Sequence, residues 1–181
     1  MIAGENSSSC PRDIREFIHT AAGDGWASLG APYLLLDGAQ LPEMCDWLAK
    51  YHNKGDWLSL LGESAGSPLL AASPVLIRVA PTYSQPYLRR LMKFAEYWRS
   101  FAVLVSTLPL DTLAEHLGTY FYIDDPDGTR WGLAYWDTSI LGALTGFQPA
   151  LNGLVPGPVL SREQCTGLLG EIALWCFNDR E

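Results

Sequence analysis

Gly62-Glu63-Ser64-Ala65-Gly66 has the G-x-S-x-G form of a nucleophile elbow, in which a strained strand-to-helix turn projects a serine hydroxyl for acyl transfer. It follows an apolar run, Trp57-Leu58-Ser59-Leu60-Leu61, as an elbow serine requires. Three other requirements go unmet. The segment from Ser67 to Pro74 is too short for the packed helix that supports the nucleophile, and no glycine-rich oxyanion segment precedes it. The only histidine after Ser64 is His116, and Asp111 falls on the same expected helix. A small serine esterase of α/β-hydrolase type, using Ser64, is therefore the alternative reading, and a Gly/Ser loop is the better account.

Asp124-Asp125-Pro126-Asp127-Gly128 invites a calcium site. Aligning Gly128 with the loop glycine of an EF-hand puts Ile123 at the first ligand position and Ala134 at the bidentate glutamate position, which breaks the pattern. A polar turn explains the cluster. His19, His52 and His116 each stand alone on expected helices and read as surface or cap histidines. Cys10, Cys45, Cys165 and Cys176 form no C-x-x-C pair, and three of them fall on apolar helical faces, where a thiol behaves as a small hydrophobe. No metal and no cofactor is expected, and reduced cysteines fit a cytoplasmic protein.

The elements that would position any site come from hydrophobic patterning. The chain has 181 residues, 48% of them hydrophobic, enough for one well-buried core and short for two full domains. Residues 1–10 are too polar to pack and are expected to be disordered, leaving 11–181 as a single α/β domain. Lys and Arg total 12 against 20 Asp and Glu, a formal charge of -8, which makes a nucleic-acid partner a poor expectation. No apolar stretch approaches the roughly 20 residues of a membrane span.

Tyr33 to Asp37 reads as a strand buried on both faces, closed by Asp37-Gly38. Leu41, Met44, Cys45 and Leu48 lie on one helical face running to about Tyr51. Trp57 to Leu61 fits either a short strand or a buried connector. Val75 to Val79 and Phe101 to Ser106 are further strands, with helices expected at 14–21, at 84–99, and from the Thr107 to Asp111 region through Leu117. The alternation of strand and helix argues for a parallel or mixed sheet of about five strands covered by helices.

A hairpin interrupts that rhythm. Thr119 to Asp124 and Arg130 to Trp136 read as its strands, and Pro126 and Gly128 suit its turn. Both of its faces carry aromatics, so one side packs on helices or meets a partner; it could lie at an edge or in the middle of the sheet. Asp137 then reads as the N-cap of a helix through Leu144, and Ser161-x-x-Gln164 as the capping box of a last helix carrying Cys165, Leu168, Leu169, Ile172 and Cys176.

Six segments in order, Leu36-Asp37-Gly38-Ala39, Trp57 to Gly62, Ser73 to Ile77, Leu113 to Leu117, Tyr135-Trp136-Asp137 with Ile140-Leu141, and Gly157-Pro158-Val159, resemble the effector-adaptor (effector chaperone) domain of bacterial type VI secretion systems. The resemblance covers most of residues 30–160. It implies a cytoplasmic, non-enzymatic protein that holds a toxic effector and helps load it onto the valine-glycine-repeat (VgrG) spike, with Asp37, Gly38, Asp137, Gly157 and Pro158 as structural motif residues. Where the family tends to carry Arg-aromatic-aromatic-Asp-Pro, this chain has Ala134-Tyr135-Trp136-Asp137-Thr138, so any role of that arginine is absent. Many members also continue into a C-terminal helical lobe, for which the residues after Ser161 leave little room. Such a chaperone must cover apolar effector surface, and the hairpin aromatics Tyr120, Tyr122, Trp131 and Trp136 are the candidates to do so.

Overall fold

The structure is a computed structural model, and it describes residues 28–41, 43–51, 55–61, 70, 72–79, 101–124, 127–145 and 160–177. The helices expected at 14–21 and 84–99, and the N-terminal residues 1–10, lie outside the described residues.

Strand β1 (Ala31–Leu36) runs through the centre of the sheet, and its Tyr33, Leu34, Leu35 and Leu36 are all buried, as the unbroken apolar run requires. Asp37 ends it by turning the chain: Oδ1 accepts the Ala39 amide at 3.0 Å and Oδ2 the Gln40 side-chain amide at 2.9 Å, capping a short 3-10 turn. Helix α1 (Met44–Tyr51) follows, with Met44, Cys45, Trp47 and Leu48 buried. Trp57–Ser59 is a strand, β2, and Val75–Arg78 is β3. Strand β4 (Phe101–Ser106) leads into helix α2 (Leu110–Gly118). The hairpin strands are β5 (Tyr122–Asp124) and β6 (Arg130–Gly132), followed by helices α3 (Thr138–Thr145) and α4 (Arg162–Leu169) and strand β7 (Ile172–Phe177).

The main sheet has five strands in the order β2-β3-β1-β4-β7, and β5 and β6 form a separate ribbon. The α/β class is as expected and the sheet has five strands, but the hairpin expected within the sheet stands apart from it, and the direction of pairing also differs. Every neighbouring pair in the five-stranded sheet is antiparallel, where alternation with helices suggested parallel or mixed strands. Helices cover both faces of this sheet, so its strands carry apolar residues on both sides and read like those of a parallel one. On one face Leu34, Leu36, Ile77, Val103 and Val105 pack with α1; on the other Tyr33, Leu35, Leu76 and Leu104 pack with α2, α3 and α4.

The C-terminal residues also depart from their periodicity. The capping box forms as expected, with Ser161 Oγ accepting from Gln164 N and Gln164 Oε1 accepting from Ser161 N. The helix stops at Leu169, because Gly170 takes φ +47° and its amide closes onto Thr166 O. Ile172 and Cys176 are therefore strand residues rather than a continuation of the helical face. Ile172 to Phe177 is apolar throughout, so it satisfies either period, and the open edge of β4 takes it as a strand.

Candidate functional site

The ribbon pairs Tyr122 with Gly132, Ile123 with Trp131 and Asp124 with Arg130. Its strands are shorter than the sequence suggested. Thr119 and Tyr120 still belong to the C-terminal turn of α2, with Tyr120 N donating to Leu117 O. Past Leu133, the Asp137 amide closes a turn onto Ala134 O. Alternation within the ribbon puts Tyr122, Asp124, Arg130 and Gly132 on one face and Ile123 and Trp131 on the other.

Of the four aromatics singled out in the sequence, Tyr122 and Trp131 are displayed, at 60% and 57% exposure. Tyr120 and Trp136 are half-buried and pack against the core. Tyr120 stands edge-on to His116, and Trp136 meets Phe121 and Tyr135 edge-on, each with ring centroids 5.2 Å apart. Tyr135 is fully buried at the root of the hairpin and its hydroxyl donates to Leu117 O at 2.8 Å; burial pushes its phenol pKa far up. The root is thus packed into the core, and the ribbon rests on it through half-buried Ile123 while Tyr122 and all of β6 are exposed.

Arg130 is the residue that sequence reasoning passed over. Its Nε and Nη2 donate to Asp124 Oδ1 and Oδ2 at 2.7 and 3.2 Å, and its guanidinium carbon lies 6.0 Å from the Tyr122 ring centroid. Asp124 and Arg130 are equidistant from Asp127 at the turn, and that symmetry was the available signal. Asp127 Oδ1 accepts the Thr129 amide at 2.8 Å, so both described carboxylates of the acidic cluster serve the hairpin itself.

Arg130 holds the Asp124 carboxyl below the usual carboxylate range, chiefly by its hydrogen bond, and the Thr129 amide does the same for Asp127. A carboxylate depressed in the native state stabilises it above the unfolded pKa, and that stabilisation is lost as pH falls through the native pKa. The ion pair is expected to persist from neutral pH down to about pH 4 and to be lost only below it. Titrating the Asp124 and Arg130 backbone amide resonances checks this; a midpoint at or above the ordinary carboxylate value would mean that the pair does not form in solution.

Asp37 and Gly38 build the turn after β1, and Gly38 O accepts the Leu41 amide. Asp137 precedes α3, and its carbonyl accepts the Ile140 and Leu141 amides at 3.0 and 2.8 Å. Gly157, Pro158 and the whole Gly62 to Gly66 motif lie outside the described residues. His116 proves not to be a simple surface or cap residue. It is half-buried, with Nε2 3.0 Å from Leu168 O, so it ties α2 to α4. Asp111 Oδ1 is engaged with the Thr112 amide. Cys45 and Cys176 are buried and Cys165 is half-buried; burial pushes the Cys45 and Cys165 thiols up, away from reactive thiolate. No helix among the described residues is long and apolar enough to cross a membrane.

Fold and surface together define an α/β domain whose antiparallel sheet is helix-covered on both faces and which raises an aromatic ribbon above its core. A family model described as Domain of unknown function (DUF4123) matches residues 32–150, well over half of the chain, and the chain belongs to that family. The match runs from β1 to just beyond α3, so α4 and β7 complete the sheet from outside the matched region. No curated protein and no solved structure matches the chain.

Proposed function

We propose that this chain is a non-enzymatic adaptor, a chaperone that binds a type VI secretion effector in the bacterial cytoplasm and assists its loading onto the VgrG spike. The observation that carries the reading is the display of Tyr122, Arg130 and Trp131 on a ribbon anchored at its root, since Tyr, Arg and Trp are the side chains most often found at binding hot spots. The six-segment resemblance and the family match also fall on the same stretch of chain. Against the esterase alternative stands His116, whose Nε2 already meets Leu168 O and whose ring is packed against Tyr120.

The test is deletion and rescue in a bacterium that carries this gene beside spike and toxin genes. Deletion is expected to remove the toxin from secreted VgrG, and the tagged chain to co-purify with the toxin. The Ser64→Ala chain is expected to rescue loading fully. Toxin that still reaches the spike without this chain would overturn the proposal, as would ester turnover by the pure protein that disappears in Ser64→Ala.

A further inference from the structure

The geometry points to the β5–β6 ribbon as the docking surface for an extended, positively charged segment of the partner, laid alongside β6. This deepens the adaptor reading and rests on it for the kind of partner. Tyr122 and Trp131 are the two most exposed large hydrophobic residues among those described, and they stand on the same short ribbon. A ribbon of two strands is marginal in water, and among the described residues no third strand pairs with β5 or β6. All three β6 residues are exposed. Opposite Tyr122, Gly132 has open space where a side chain would stand, with nothing within 4 Å, so a chain can pass close to the backbone beside the tyrosine ring.

Charge selects the occupant. Between Thr119 and Gly132 the sequence carries Asp124, Asp125 and Asp127 against Arg130 alone, within a chain of formal charge -8. Arg130 is paired with Asp124 and lies over the Tyr122 ring, so the described charges of the ribbon, Asp124 and Asp127 against Arg130, leave it net acidic, with the exposed Trp131 ring on the opposite face. Lysine or arginine side chains are attracted both by carboxylates and by the faces of Trp and Tyr. An extended segment that adds a strand supplies the main-chain hydrogen bonds, and its successive side chains, which point to opposite faces, reach Tyr122 on one face and Trp131 on the other. An acidic segment would be repelled by this net negative charge and by the faces of the two rings.

The probe is a blocked ten-residue peptide alternating lysine and valine, with an alternating glutamate and valine peptide as its counterpart, titrated into the isotope-labelled full chain. The basic peptide is expected to shift backbone resonances within residues 119–136 and to bind more weakly as salt rises from 50 to 300 mM. Trp131→Ala and Tyr122→Ala are expected to weaken it tenfold or more with unchanged thermal midpoints, because both side chains are exposed. Tyr51→Ala, a comparably exposed aromatic on α1, serves as the control and should leave binding unchanged. Equal affinity for the two peptides, no binding of the basic one, shifts outside the hairpin, or full affinity in the Trp131 and Tyr122 variants overturns the inference. A chain that captures its toxin while failing these tests keeps the adaptor role and loses this surface. One that binds the basic peptide at the ribbon yet loads no toxin does the reverse.

Discussion

Gly30→Ala is expected to destabilise the fold by about 2–6 kcal/mol, combining backbone strain with overpacking. Gly30 lies just before β1 with φ +129°, a conformation that L side chains rarely adopt. A β-carbon there would fall 2.2 Å from Ser106 O, 2.3 Å from Ser106 C and 2.7 Å from Thr107 N, all of them backbone atoms. The obstacle cannot swing aside. Ala31 pairs with Ser106 across β1 and β4, and buried Ser106 is fixed again by its own hydroxyl, which donates to Glu171 O and accepts the Leu108 amide. Relief would therefore disturb the end of β4 and the turn before β7 together. Against a typical total stability of about 5–15 kcal/mol, a loss of this size is detectable as a large fall in the urea midpoint. Gly132→Ala is the control: open space surrounds that position, and a change within about 0.5 kcal/mol is expected. Equal midpoints for the two variants would contradict the close approach of β1 to Ser106.

Tyr135→Ala is expected to cost about 3–5 kcal/mol, the range for deleting a large buried aromatic. The ring is packed by Phe121, Trp136 and Trp175, with centroids 5.8, 5.2 and 6.1 Å away, and so joins the hairpin root to β7. Tyr135→Phe keeps those contacts and loses only the hydroxyl. Leu117 O retains the Tyr120 amide at 3.0 Å, so no buried acceptor is orphaned and the loss should be about 1 kcal/mol. Hydrogen exchange adds a local readout, because the Leu133 amide donates to Phe121 O at the base of the ribbon. That amide should lose protection selectively in Tyr135→Ala. If both variants cost the same, the hydroxyl rather than ring packing anchors the ribbon.

Burial and turn chemistry in this chain are largely local properties. Tyr33 to Leu36 had to be buried on both faces, because four consecutive bulky apolar side chains leave a strand no polar face. Asp37-Gly38 announced the end of its strand and Ser161 its cap, since a short polar side chain placed there reaches amides two or three residues on. Asp125 to Gly128 marked the hairpin, though strand length was overdrawn: Tyr120, Leu133, Tyr135 and Trp136 lie beyond the paired residues of the ribbon and pack into the core. The candidate surface was legible as four aromatics without their exposure. Alternation states which side chains share a face, not which face the rest of the molecule covers.

What the sequence determined by itself, then, was the apolar runs, the caps, the hairpin turn and the acidic balance, each set by residues within a few positions of one another. Tertiary structure alone decided that the five strands pair antiparallel, that Ile172 to Phe177 closes onto β4 as a strand, that His116 ties α2 to α4, and that of the four hairpin aromatics Tyr122 and Trp131 are the ones left in solvent. The reason is physical. Strand direction and exposure depend on which distant backbone groups and side chains compete for the same hydrogen bonds and the same dry space, and a residue's neighbours in the chain carry no record of that competition.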